Sequence, residues 1–162
     1  PAPSRKPLAV PSTDPNSVIR KLKNLKIRGA NREKVATLRD EATKMKVVET
    51  PHAFCFLLRS IFETSAKAYC IDHNLSYAKS NGKDRTLLEL LDACFKHLTN
   101  NRANALMDRK LYGAMVELGK SDGIFSVTSM NQLIHHPTFS HNPRDISTLF
   151  ISVFPMIEEM NA

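Results

Sequence analysis

Apolar residues recur along this chain at spacings of three and four, the stripe of amphipathic helices. The first stripe is Val18, Leu22 and Leu25, opened by Asp14-Pro15 as cap and first helical residue and closed by Gly29. Asn31 is placed to cap a second helix carrying Val35, Leu38, Ala42 and Met45. Thr50-Pro51 repeats the cap-plus-proline start and opens the most apolar helix, through about His73, with Phe54, Leu57, Leu58, Ile61, Phe62, Ser65, Ala66 and Tyr69. A polar loop from Leu75 to Lys83 turns at Asn81-Gly82. Asp84 is then the expected cap of a helix with Leu87, Leu88, Leu91, Cys94, Phe95 and Leu98, broken at Asn100-Asn101. A fifth helix from about Ala103 holds Leu106, Leu111, Met115, Val116 and Leu118 and closes near Gly119. Ser126 or Thr128 caps a short helix with Met130, Leu133 and Ile134, ended by Pro137. Asn142-Pro143 opens the last helix, with Ile146, Leu149, Phe150, Val153, Phe154 and Ile157, which Pro155 should kink or end.

The pattern predicts an all-α protein, an antiparallel bundle of about six or seven helices with no convincing strand. Five glycines and no tryptophan in 162 residues agree with helices over a turn-rich β fold. Three divisions are expected: a flexible Pro-rich linker or arm at 1–13, a basic helical arm at 14–46, and the bundle domain at 47–162. The first residue is Pro, and a domain preceding the linker, or fused to it, is expected.

Charge changes this picture more than composition does. Residues 1–46 carry 12 Lys+Arg against 4 Asp+Glu, while residues 47–162 carry 11 against 12, so the net charge of +7 belongs wholly to the N-terminal third. Clustered cations favour phosphates because binding releases counterions. Arg20, Lys21, Lys23, Lys26, Arg28 and Arg32 are the expected nucleic-acid contacts, the plain alternative being a solvated face. No apolar run approaches the roughly 20 residues of a membrane span, and Arg5 and Lys6 are followed by no apolar stretch of a signal peptide. Cytoplasmic residence is the expectation, with Cys55, Cys70 and Cys94 as buried free thiols of a reducing compartment.

Candidate chemistry gathers at Ser126–Asn142, which holds His135, His136 and His141. Neighbouring helical residues point about 100° apart and no carboxylate joins them, so neither a metal nor another cofactor is expected. A histidine near a helix end can move protons at neutral pH. Its ordinary alternative is a structural imidazole bonded to the following turn. Arg59 and Glu63 sit one turn apart and suggest a surface pair or a partly buried one.

The helix F-L-L-R-S-I-F-E-T-S-A-K-A-Y (Phe56 to Tyr69), followed by M-N-Q-L-I-H-H-P-T-F (Met130 to Phe139), resembles the HEPN superfamily. These small α-helical domains are common in prokaryotic toxins and defence proteins. The likeness is closer to the C-terminal HEPN-like domain that follows ParB-like or other nucleic-acid-processing modules in bacteria, which carries a similar Asn-x-x-apolar-His-x-Pro segment. It spans roughly residues 33–160. It implies a homodimer, and in active members a metal-independent RNase whose motif is Arg, four to six residues, then His. This chain departs from that motif. With His135 as the histidine, the arginine positions hold Thr128, Ser129 and Met130; with His136, Asn131 is the polar residue at that spacing. An amide donates a hydrogen bond to phosphate but brings no charge. The resemblance therefore implies a dimerising accessory domain that binds nucleic acid, RNA rather than DNA. The alternatives are an active RNase using His135 or His136 with Asn131 or Arg59, and a docking scaffold.

Overall fold

The computed structural model describes residues 14–120 and 142–162. Six helices form there: α1 (Pro15–Asn24), α2 (Glu33–Thr43), α3 (Pro51–Asp72), α4 (Leu87–Leu98), α5 (Ala105–Leu118) and α6 (Pro143–Met160). Among the described residues no strand forms, only one bridge between Ala78 and Asp84 in the turn that holds Gly82 at φ +79°. The all-α bundle expected from apolar spacing is the fold.

Two helices make its centre. α3 buries Phe54, Leu58, Ile61, Phe62, Ala66 and Cys70 among others, and α6 buries Ile146, Phe150, Val153, Met156 and Ile157. α3 packs on α2, α4 and α6; α6 also meets α1, α4 and α5. Pro155 does not end α6, which runs on to Met160. A proline removes one N–H from the ladder, yet the residues on either side of it, Phe154 and Met156, are both buried against neighbouring helices.

Helix ends follow local chemistry. The Asp14 carboxylate accepts from Asn16 N–H at 3.0 Å, and the Asn142 amide oxygen from Arg144 N–H at 2.9 Å. Thr50 precedes Pro51 as expected, but its hydroxyl donates back to the Lys46 carbonyl rather than capping. α4 is capped by Thr86, not Asp84: its hydroxyl accepts from Glu89 N–H, and the Glu89 carboxylate accepts from Thr86 N–H at 2.7 Å. A reciprocal box satisfies two orphan donors at once, more than one carboxylate two residues earlier can do. The Thr86 N–H bond, with Lys79 beside it, holds the Glu89 carboxyl below its usual range.

The expected boundary at residue 46 does not exist as a break in packing. Val18, Leu22, Leu25, Val35 and Ala42 belong to the same core as Phe54 and Phe150. A polar hub completes the union. The Arg32 guanidinium pairs with Asp72 at 2.8 Å, donates from Nε to Asn161 Oδ1 at 3.1 Å, and reaches the carbonyls of Met160 and Ala30 at 2.8 and 2.7 Å. Asn161 in turn donates to Ser65 Oγ at 3.0 Å and the Ile157 carbonyl. Arg28 N–H meets the Asn161 carbonyl at 2.9 Å. One arginine thus ties the N-terminal third to α3 and to the end of α6.

The turn that delivers it needs a glycine. α1 ends at Asn24 rather than at Gly29. Gly29 instead adopts φ +94°, where a Cβ would stand 3.3 Å from the Asp72 carboxylate and 3.6 Å from Arg32 Cζ. Asn31, expected as a cap, is itself left-handed at φ 58°.

Candidate nucleic-acid interface

The sequence P-N-S-V-I-R-K-L-K-N of α1 contains no acid. Its period of 3.6 buries Ser17, Val18 and Leu22 and leaves Arg20, Lys21 and Lys23 in solvent. After Asn24 the chain is no longer helical. The period falls to two: Leu25 is buried, Lys26 exposed, Ile27 half-buried and Arg28 exposed. Five cations thus project from one anchored segment of nine residues.

None of these five forms an ion pair among the described residues. Lys21 lies 5.2 Å from the Phe154 ring, a contact that holds the ammonium at the α6 edge without neutralising it. Several cations elsewhere pair with carboxylates: Lys67 with Glu63, Lys79 with Glu89, Lys96 with Asp92, Arg102 with Asp108, and Lys120 with Glu117. Beside the basic segment is a depression of about 360 Å³ lined by Lys26, Arg28, Lys110, Glu158 and Glu159. Lys110 bonds Glu159, which pushes its ammonium up from the ordinary lysine range. The two glutamates make the depression mixed in sign. The open face of α1, not the floor of the depression, carries the uncompensated charge.

Arg32 corrects an expectation. It is 6% exposed, and its guanidinium is saturated by Asp72, Asn161 and two carbonyls, so it is not available to a phosphate. A guanidinium offers five fixed donors and suits an interior anion and carbonyls better than lysine does. Composition could not separate it from Arg28, four residues earlier. The turn at Gly29 does.

Asn131, His135 and His136 lie outside the described residues, as does the whole stretch from Ser126 to His141. Arg59 is half-buried on α3; desolvation lowers its pKa, opposed by the charge of Glu63. Glu63 makes its ion pair with Lys67 at 3.0 Å.

Two clusters escaped sequence reasoning, because each joins α3 to α4 across more than twenty residues. The Tyr69 hydroxyl lies 2.7 Å from His97 Nδ1, and the ring of His73 lies tilted with its centre 4.2 Å from that of Tyr69 and 4.7 Å from that of His97. Burial pushes the Tyr69 phenol up to about 12, and which of the two groups donates in this contact is set by the imidazole tautomer. His97 in the last turn of α4 was the only signal for it. Cys70 and Cys94 meet at 3.8 Å between their sulfurs. Their hydrogen bond lowers the Cys70 pKa and raises that of Cys94, while burial takes Cys55 up to about 12. All three are buried free thiols, as expected. Among the described residues no three metal-ligating side chains converge, and no helix is long and apolar enough to cross a membrane.

No family model, curated protein or solved structure matches this chain.

Proposed function

We propose that this chain is a HEPN-like helical domain that dimerises and binds nucleic acid, RNA in preference to DNA. In this reading it is an accessory module of a bacterial defence or nucleic-acid-processing protein. One observation supports the binding: five exposed cations, Arg20, Lys21, Lys23, Lys26 and Arg28, stand without an ion-paired carboxylate on a segment whose other face is core. A phosphate backbone gains most where cations are clustered and uncompensated, since each neutralised phosphate releases a condensed counterion. Anchoring adds to this, because the cations sit on ordered backbone and less entropy is lost when the strand is bound. The Asn131–His136 segment and dimerisation come from the resemblance.

The test is the affinity for a single-stranded RNA measured across a range of salt. Affinity should fall steeply as salt rises. Neutralising Arg20, Lys21, Lys23 and Lys26 together should flatten the slope by about one for each phosphate that no longer meets a cation. Affinity that ignores both salt and the fourfold variant would refute the reading. Incubating the protein with RNA in EDTA separates binding from cleavage: fragments that vanish in a His135→Ala/His136→Ala variant would make the domain an RNase.

A further inference from the structure

The groove between α4 and α5 holds a cavity that the basic segment does not use. It measures about 440 Å³ and is lined by Phe95, Tyr112, Met115 and Val116, with Asp92 and Asn101 at its edge. That volume falls in the range of small-molecule sites, which pair an apolar lining with a few placed polar groups. Tyr112 is 60% exposed and Val116 45% exposed, large apolar surfaces left open on α5.

The rim is charged but neutral in sum. Lys96 is paired with Asp92 at 2.7 Å, and Arg102 with Asp108 at 2.9 Å. Such a rim offers hydrogen bonds without drawing a phosphate into the cavity, and suits a flat uncharged group with polar edges. The turn that places Asn101 is strained: Asn100, Asn101 and Arg102 are left-handed in succession, at φ 49°, 52° and 71°. Asparagine tolerates that region and arginine rarely enters it. The buried Thr99 holds the turn, its hydroxyl accepting from Arg102 N–H at 3.1 Å and its carbonyl from Asn104 N–H at 2.9 Å.

Helix geometry links this cavity to the basic segment. Lys110, which lines the depression beside Lys26 and Arg28, and Tyr112 lie on opposite flanks of α5, about 160° apart at 100° per residue. The exposed Arg109 falls between them on the outer face. A strand whose phosphates meet α1 therefore crosses one helix width, past a cation, to reach the cavity.

We infer that this cavity is a nucleobase pocket, in which Tyr112 stacks a base of a single-stranded nucleic acid while Asp92 and Asn101 meet its polar edge. The inference rests on the binding function proposed above. Every base has a π-face, so such stacking adds affinity without demanding a sequence, and truncating the aromatic ring weakens binding by about 5- to 150-fold.

The experiment compares an RNA oligonucleotide with an abasic strand of equal length, each titrated into wild type, Tyr112→Ala and Tyr112→Phe across the same salt series. Wild type should prefer the base-bearing strand. Tyr112→Ala should remove that preference and leave the salt slope unchanged, and Tyr112→Phe should keep it. Steep salt dependence with equal affinity for both strands, or an unaffected Tyr112→Ala, overturns the pocket and spares the basic segment. No binding of either strand at low salt overturns both. Light scattering on the same variants adds one more outcome. If Tyr112→Ala abolishes self-association and leaves oligonucleotide affinity alone, the groove belongs to a second copy of the chain and the inference fails.

Discussion

Cations on the α1 segment and five cations between α3 and the end of α5 are the same residue types in opposite electrostatic states. From Arg20 to Arg28 five of them face solvent with no carboxylate at ion-pair distance among the described residues. On α3–α5 and the turn before α4, Lys67, Lys79, Lys96, Arg102 and Lys120 each have an acid within 3.1 Å. An exposed pair contributes little to stability, but it cancels a field. What the comparison teaches is that the net charge of +7 is less informative than where compensation is withheld. Arg32 is the third case, buried and saturated four residues beyond Arg28.

The sharpest way to test that division is through Arg32. Arg32→Ala leaves Asp72, Asn161 and two carbonyls without their donor, and should lower unfolding free energy by about 3–5 kcal/mol, as loss of one partner of a buried pair does. Lys23→Ala should stay within about 0.5 kcal/mol. Chemical denaturation of the two variants side by side measures this, and equal midpoints would erase the distinction between buried hub and open face. Arg32→Lys should recover only part of the loss, since one ammonium cannot serve both the carboxylate and Asn161.

Binding gives the next largest contrast. Neutralising Lys67, Lys79, Lys96 and Lys120 removes as many charges as the fourfold α1 variant, yet each already has an acid beside it. The salt slope for RNA should therefore change far less than with α1 neutralised, as read by fluorescence anisotropy. Equal losses would mean that only total charge matters.

Two smaller effects concern the paired region itself. The folded chain holds the Tyr69 proton more tightly than the unfolded chain, whose tyrosines ionise near 10. The stability it contributes is therefore present below pH 10 and lost as pH rises from about 10 toward 12. Ultraviolet titration should show one of the three tyrosines ionising near 12, and Tyr69→Phe should remove that late step. Thr86→Ala breaks the box that starts α4 and should cost about 1 kcal/mol by thermal melting.

Much of the architecture could be read along the chain because it depends on near neighbours. Spacings of three and four placed six helices, and Asp14-Pro15 and Asn142-Pro143 open theirs as expected. The basic segment was visible as well, since α1 has cations and no acid. Errors came where two local signals competed, as with Asp84 and Thr86, or where a glycine had two uses. Gly29 reads as a helix stop, but serves to turn Arg32 inward. The contacts between Tyr69 and His97, Cys70 and Cys94, and Arg32 and Asn161 span 24 to 129 residues, and no period or motif relates such partners.

The sequence by itself therefore determined the helices, their apolar faces and the charge divide at residue 46, because burial of a periodic stripe and repulsion among near cations act over a few residues. Only the tertiary structure decided which cations remain in solvent. It made one core of what composition had split into arm and domain, and it left an open groove beside Tyr112. The reason is physical: whether a charge is compensated depends on what packs beside it, and that is a property of distance in space, not of order along the chain.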